Sequence, residues 1–352
     1  MARIKRYTDQ NVYEAALSRL EHIYDTHDRV IVCFSGGKDS LAALHLALEV
    51  HTSRGINTPL DVVFRDEELI PDEVIAFVDK YRNDPRFKML WFAVPLKSSK
   101  FVLGKSIEYV QWDALRDPEN GGVGYVRPRP LWSLTANPGE VFDQYTMDQH
   151  TATYYPNGKL AFITGIRAAE SLIRFRSSVE KLNENYINSS TSPRVSLCKP
   201  IYDWQEDDVF YYFYQNNVPY CDIYDIQNLA GEQFRVATPI HAENAKRQLQ
   251  TLRASLPEFH QRVMAIFPEM LLQERYWKQV DRKAMKAKYG TTYEGCQAYI
   301  DEMNEPKQKA KAQEMFDKAM ARAGHMPDAY PPQHVFQWLS TGSFKRQLMP
   351  KN

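Results

Sequence analysis

Cysteine is scarce in this chain: four among 352 residues, at positions 33, 198, 221 and 296. None forms a Cys-x-x-Cys pair, so the sequence supports neither a structural zinc site nor dithiol chemistry, and no iron–sulfur cluster is expected. Cys33, Cys198, Cys221 and Cys296 read as small buried hydrophobes rather than reactive thiols. Net charge is missing too, with 44 Lys and Arg against 44 Asp and Glu. Nothing global therefore draws the chain to an anionic membrane or to nucleic acid, and direct nucleic-acid binding is not the favoured reading. No apolar run approaches the ~20 residues that a membrane span needs. The N-terminus turns polar at once and carries no signal-like apolar stretch, so a cytoplasmic protein is expected. What remains, 43% hydrophobic and 25% charged residues, describes a globular chain long enough for one large domain or two ordinary ones.

Against that background the run Ser35-Gly36-Gly37-Lys38-Asp39-Ser40 stands out. It separates an apolar run at 30–34, which reads as a buried strand, from a longer one at 41–50, which reads as a helix packed on a sheet. A Gly-rich turn from strand to helix leaves backbone N–H groups unpaired at the positive end of the helix dipole, a geometry that binds phosphate. The glycines allow close approach, Lys38 adds a cation, and Ser35 and Ser40 add hydroxyls. Asp39 is the odd member, since a carboxylate beside phosphates repels them unless it orients Lys38 or a magnesium ion. The Walker A spacing Gly-x-x-x-x-Gly-Lys-Ser/Thr is absent.

Helical spacing of Val12, Ala16, Leu20 and Ile23 predicts a helix over 8–27 with Thr8 as its cap. Strands are expected at 60–64, 88–94 and 160–163, with a helix at 71–82 between the first two. Alternation of this kind implies a parallel α/β sheet that binds ligands at the carboxyl ends of its strands. Residues 97–158, punctuated by Pro and Gly, read as an irregular insertion over the sheet. Asp203 and Glu206 stand as a capping box before a helix at 207–216. Beyond about residue 230 the texture becomes helical and charged. The expected organisation is a nucleotide-binding domain over 1–230 and a helical C-terminal domain over 231–352.

Asp66, Glu67 and Glu68 end the second strand, and Asp66 is the candidate for holding magnesium or a ribose. Thr164-Gly165-Ile166-Arg167 follows the fourth strand, with Arg174 and Arg176 beyond it. Arginine grips phosphate and sulfate with paired donors, and a helical segment would place Arg167 and Arg174 on one face. Ordinary surface ion pairs are the other reading of these arginines. Trp112, Tyr125, Arg127, Arg129 and Trp132 decorate the insertion and have two open readings: a cover over a base, or a satellite core that anchors the insertion. His45 reads as a histidine of the core or its rim.

Three blocks together carry a family resemblance. Ser35 to Ser40 resembles the PP-loop of the ATP pyrophosphatase, or adenine nucleotide alpha hydrolase, superfamily. Gly165-Ile166-Arg167 to Arg174 and the segment from Pro200 to Tyr220 are similar to segments of the phosphoadenosine phosphosulfate (PAPS) reductase family. Asp66-x-Glu68, Pro95-Leu96, Val126-Arg127-Pro128 with Pro130, Tyr224-Asp225, Gly231 and Arg235-Val236 resemble most nearly the subgroup typified by the immunoglobulin-binding regulator IbrA of enterobacteria. The tail departs from the family's reductases: it has Glu294-Gly295-Cys296 where they have Glu-Cys-Gly-x-His. The resemblance implies binding of ATP or a PAPS-like adenine nucleotide with magnesium, cleavage at the α-phosphate, and a ParB-like protein partner. Ser35, Gly36, Gly37, Lys38, Asp39, Ser40, Asp66 and Gly165 would bind the nucleotide, and Lys38, Asp39, Arg167 and Arg174 would act in the chemistry. Sulfonucleotide reduction or sulfur transfer through Cys198, Cys221 or Cys296, and regulation without turnover, are the alternatives.

Overall fold

The computed structural model describes residues 9–179, 184–229, 239–241, 245–277, 282–303, 305–342, 344 and 348–351. Eight strands run in chain order: β1 Arg29–Cys33, β2 Leu60–Arg65, β3 Phe87–Phe92, β4 Leu96–Val102, β5 Lys105–Gln111, β6 Leu160–Ile163, β7 Ile187–Ser189 and β8 Val195–Cys198. Seven helices accompany the sheet: α1 Val12–Thr26, α2 Lys38–Ser53, α3 Asp72–Arg82, α4 Gln144–Thr153, α5 Leu172–Val179, α6 Glu206–Asn216 and α7 Ile223–Leu229. They are followed by α8 Ala245–Ser255, α9 Pro257–Ile266, α10 Glu269–Tyr276, α11 Arg282–Tyr289, α12 Tyr293–Asp301, α13 Pro306–Ala323 and α14 Pro332–Leu339. None of the described helices is long and apolar enough to cross a membrane.

Six strands form one sheet in the order β3-β2-β1-β6-β8-β7. All neighbours are parallel except β7 and β8. Chain order reverses at β1, which pairs with β2 on one side and with β6 on the other, in register from Arg29 opposite Leu160 to Val32 opposite Ile163. Such a switch point opens a crevice at the carboxyl ends of the two strands, because their connections leave in opposite directions.

Alternation along the strands divides the core. Val30, Val32, Val62, Phe64, Ala161 and Ile163 face a layer built with Leu20, Leu41, Leu44, Val78 and Phe213. Ile31, Val63, Phe92 and Phe162 face Phe142, Met147, Ala152 and Tyr155. Helix α2 is buried nearly all round and packs on α1, α6 and β1, so its N-terminus is held firmly. Fully burying side chains of this kind contributes about 1.5–3 kcal/mol each before conformational entropy is counted.

The insertion is more ordered than its Pro and Gly content suggests. Leu103 and Gly104, at φ 45° and 86°, join β4 and β5 as a two-residue hairpin turn. Asp143 caps α4 through the amides of Tyr145 and Thr146, and that helix supplies the second face of the sheet. Two other caps differ from expectation. Asn11, not Thr8, caps α1, and Thr8 lies outside the described residues. Gln205 and Asp208 form the capping box of α6, while Asp203 pairs with Arg19 at 2.7 Å.

The chain forms two compact units. One comprises Met1–Ser98, Tyr109–Pro239 and Thr251–Ile266, the other Ser99–Glu108, Ile240–Gln250 and Phe267–Asn352. The second unit has its own core of Cys296, Ile300, Phe316, Tyr330, Val335, Phe336 and Leu339 from α12 to α14. A single cut near residue 231 does not describe this division, since the hairpin tip and residues 251–266 each fall on the far side of it.

Candidate functional site: a phosphate loop at the switch point

The loop Ser35–Gly37 leaves β1 at the crevice, and α2 begins at Lys38 with Gly37 as its N-cap. Gly36 lies at φ +75°, and a Cβ there would meet Val74 and Val78 at 2.7 and 2.8 Å. Glycine is therefore required both by conformation and by the closeness of α3. The serine hydroxyls are spent inside the loop rather than offered to a ligand. Ser40 Oγ donates to the Gly37 carbonyl at 2.9 Å, accepts from the Ser35 amide at 3.1 Å, and lies 2.9 Å from Ser35 Oγ. The amide of Lys38 donates to the Tyr224 hydroxyl at 2.6 Å. Burial pushes that phenol well above its ordinary value, so the hydroxyl stays neutral. The amides of Gly36 and Asp39 have no acceptor among the described residues, and they stand at the positive end of a 16-residue helix.

Charges alternate across the loop. Lys38, only 4% exposed, places Nζ 3.0 Å from Glu206 and 3.3 Å from Asp39. Asp39 accepts from Arg167 Nε at 2.7 Å through its other oxygen. Asp39 thus orients two cations, which answers why a carboxylate sits in this motif. Gly165 completes the arrangement: a Cβ on it would lie 2.4 Å from both Asp39 C and Ser40 N. Its contribution is to let the chain leaving β6 touch the start of α2.

Of the expected site residues, the structure brings together Ser35, Gly36, Gly37, Lys38, Asp39, Ser40, Gly165 and Arg167. It does not add Arg174 or Asp66. Arg167 sits before a single 3-10 turn at 168–170, while Arg174 lies within α5 beside Glu170, so the two do not share a helix face. Asp66 is turned into the core with its oxygens engaged by Trp91 Nε1 at 2.9 Å, the Glu68 amide at 3.1 Å and Arg127. Burial raises its carboxyl above the ordinary value against the pull of Arg127 and Trp91. A carboxylate with no exposed side-chain surface and both oxygens occupied does not fit a magnesium ion. No cluster of three metal-ligating side chains occurs among the described residues.

Glu68 repeats the pattern. It accepts from Arg116 at 2.6 and 2.7 Å, from the Trp112 amide at 2.7 Å and from the Val126 amide at 3.1 Å. Arg127 and Arg129 lie over the Trp112 ring at 5.0 and 5.6 Å. Of the two readings for these aromatics and arginines, the anchoring one describes Trp112, Tyr125, Arg127 and Arg129. Glu206 and Tyr224 are the residues that sequence reasoning did not assign to the site, although both lie in segments that carried the family likeness. Gly231, Arg235 and Val236 lie outside the described residues. Burial pushes the thiols of Cys33, Cys221 and Cys296 up to about 11, which disfavours thiolate at neutral pH.

A mostly parallel sheet with a Gly-Gly-Lys loop at its switch point defines an α/β protein with the PP-loop fold. The chain belongs to the phosphoadenosine phosphosulfate reductase domain family, whose profile matches residues 29–115 and 131–235, more than half of its length. A curated relative, the uncharacterized protein YbdN of Escherichia coli (strain K12), is 28% identical over 243 residues, 64% of this chain and 57% of that protein. The match thus spans little more than half of that relative's length. Similar solved structures include Candida glabrata FMN adenylyltransferase with FAD and inorganic pyrophosphate, at 14% identity and a TM-score of 0.40, covering 64% of this chain and 65% of that one. Another is the PAPS reductase of Candida auris in a phosphate complex, at 15% identity and a TM-score of 0.36, covering 63% of this chain and 93% of that one.

Proposed function

We propose that this protein binds ATP or a related adenine nucleotide at the Ser35–Ser40 loop and cleaves it at the α-phosphate, giving AMP or a transferred adenylyl group together with pyrophosphate. The observation that carries the reading is the nearly buried Lys38 at the start of α2, at the sheet's switch point, beside the amides of Gly36 and Asp39, which have no acceptor among the described residues. Those amides, the helix dipole and the ammonium would hold the pyrophosphate portion. Fixed donors stabilise the charge that develops on a departing pyrophosphate more than they stabilise the bound substrate, because they need no reorganisation as the charge moves. Arg167 acts here as a positioning residue that fixes Asp39, and through it Lys38. Burial of Cys198, Cys221 and Cys296 supports this chemistry over attack by a thiol. Incubation with ATP and, separately, with PAPS, followed by mass analysis of nucleotides, tests the proposal. AMP and pyrophosphate from ATP, lost in Lys38→Ala, are the expected result. Intact ATP with adenosine bisphosphate formed from PAPS would overturn it.

A further inference from the structure

Two carboxylates that contact the Lys38 ammonium differ in their freedom to leave. Asp39 is 17% exposed at its side chain, and its second oxygen is held 2.7 Å from Arg167 Nε. Glu206 is 47% exposed and contacts the ammonium through Oε1 at 3.0 Å, with Lys38 as its ion-pair partner. It is the first residue of α6, whose capping box uses Gln205 and Asp208, so the helix start does not depend on it. Of these two carboxylates, Asp39 alone is held by a second cation among the described residues, Arg167. A nearly buried ammonium is stabilised by counter-charge, and Glu206 supplies part of it.

We infer that Glu206 is an exchangeable counter-anion, displaced from Lys38 by the pyrophosphate portion of the nucleotide, and that it sets both affinity and charge selectivity at the loop. The inference rests on the nucleotide reading above. A carboxylate that stayed in place would lie against phosphate oxygens, and like charges about 4 Å apart repel by roughly 1–4 kcal/mol between bulk water and a protein surface. Being half exposed, Glu206 can rotate into solvent, whereas Asp39 stays clamped by Arg167. Exchange also discriminates among ligands. A singly charged anion replaces one negative charge with another and gains little, while pyrophosphate brings surplus charge that the Gly36 and Asp39 amides and the helix dipole receive.

Calorimetric titration of the full chain with inorganic pyrophosphate, ATP and acetate, each with and without magnesium, tests this in wild type, Glu206→Gln and Glu206→Asp. Glu206→Gln keeps the shape and removes the competing charge. It is expected to tighten pyrophosphate and ATP by about 1.5- to 5-fold, the range of a partly exposed ion pair given up on binding. The tightening should appear with and without magnesium, the preference for pyrophosphate over acetate should narrow, and Glu206→Asp should stay near wild type. Unchanged affinity in Glu206→Gln, with or without a lowered melting temperature, would reduce Glu206 to a structural neighbour and overturn the inference while leaving nucleotide binding intact. Weakening confined to magnesium would make Glu206 a metal-side contact and also overturn it. Failure of both wild type and Glu206→Gln to bind either phosphate ligand would remove this inference and the nucleotide reading together.

Discussion

Replacing Gly165 by alanine places one methyl group where the structure has no space for it. The added Cβ would lie 2.4 Å from Asp39 C and Ser40 N and 2.6 Å from the Asp39 carbonyl oxygen, where ordinary contacts begin near 3.4 Å. The shortfall is about 1 Å, and all three opposing atoms are backbone, so no side chain can rotate away to relieve it. Helix α2 is packed against α1, α6 and β1, which leaves the helix start and the chain after β6 to part by that distance. Overpacking of this kind destabilises by about 1–3 kcal/mol. A displacement of about 1 Å at a binding constellation can cost about 10²-fold in function. Urea unfolding and calorimetric titration with ATP separate the two effects. Gly55→Ala is the control: Gly55 lies at φ +70° with nothing within 4 Å of an added methyl group, so it should lose about 1–2 kcal/mol of stability through backbone strain and no affinity. Affinity in Gly165→Ala within about twofold of wild type, in a folded protein, would refute the argument that this close approach sets the loop.

Other expectations follow from the same geometry. Arg127→Met should destabilise by about 3 kcal/mol by leaving Asp66 buried without its partner. The loss should grow with pH, because removing Arg127 takes away the charge that opposes burial and so raises the Asp66 carboxyl further above its unfolded value. Urea unfolding at pH 5 and pH 8 checks this, and Asp66→Asn combined with Arg127→Met should recover much of the loss. His45, beside the Tyr81 hydroxyl at 3.0 Å, is lowered by burial to about 4. Below about pH 6.5 the unfolded chain takes up a proton that the folded one refuses, so up to about 3 kcal/mol should be lost as pH falls toward 4. His45→Gln should flatten that slope in thermal melts across pH. Thiol-specific reagents at neutral pH should label Cys33, Cys221 and Cys296 slowly in the folded protein and rapidly in urea, with nucleotide binding unaffected by Cys296→Ser.

The strands that sequence reasoning found, β1, β2, β3 and β6, are largely apolar because both faces of the sheet are covered. Strands β7 and β8 escaped it. They have three and four residues, and Asn188, Ser189 and Ser196 break any apolar signal. The β4–β5 turn is carried by Leu103 and Gly104, and leucine at positive φ is not a turn signal that a sequence displays. In the site, Lys38 and the glycines were legible because the loop is one contiguous stretch. The side chains that answer it come from elsewhere, Glu206 and Tyr224 from α6 and α7, and only packing brings them to Lys38. Asp66 shows the converse. A carboxylate at the carboxyl end of a strand reads as a ligand until Trp91 and Arg127 are seen to enclose it.

Both borders of the six-stranded sheet bear on how the protein avoids sticking to itself. At one border β7 runs for only three residues, too short to template a further strand. At the other, the Ala93 amide donates to the Leu134 carbonyl at 3.0 Å and the Leu134 amide donates to the Trp91 carbonyl at 2.7 Å, while Lys88 sits exposed near the start of β3. The insertion is therefore also a guard against edge-to-edge aggregation. Shortening it would uncover the polar rim of β3.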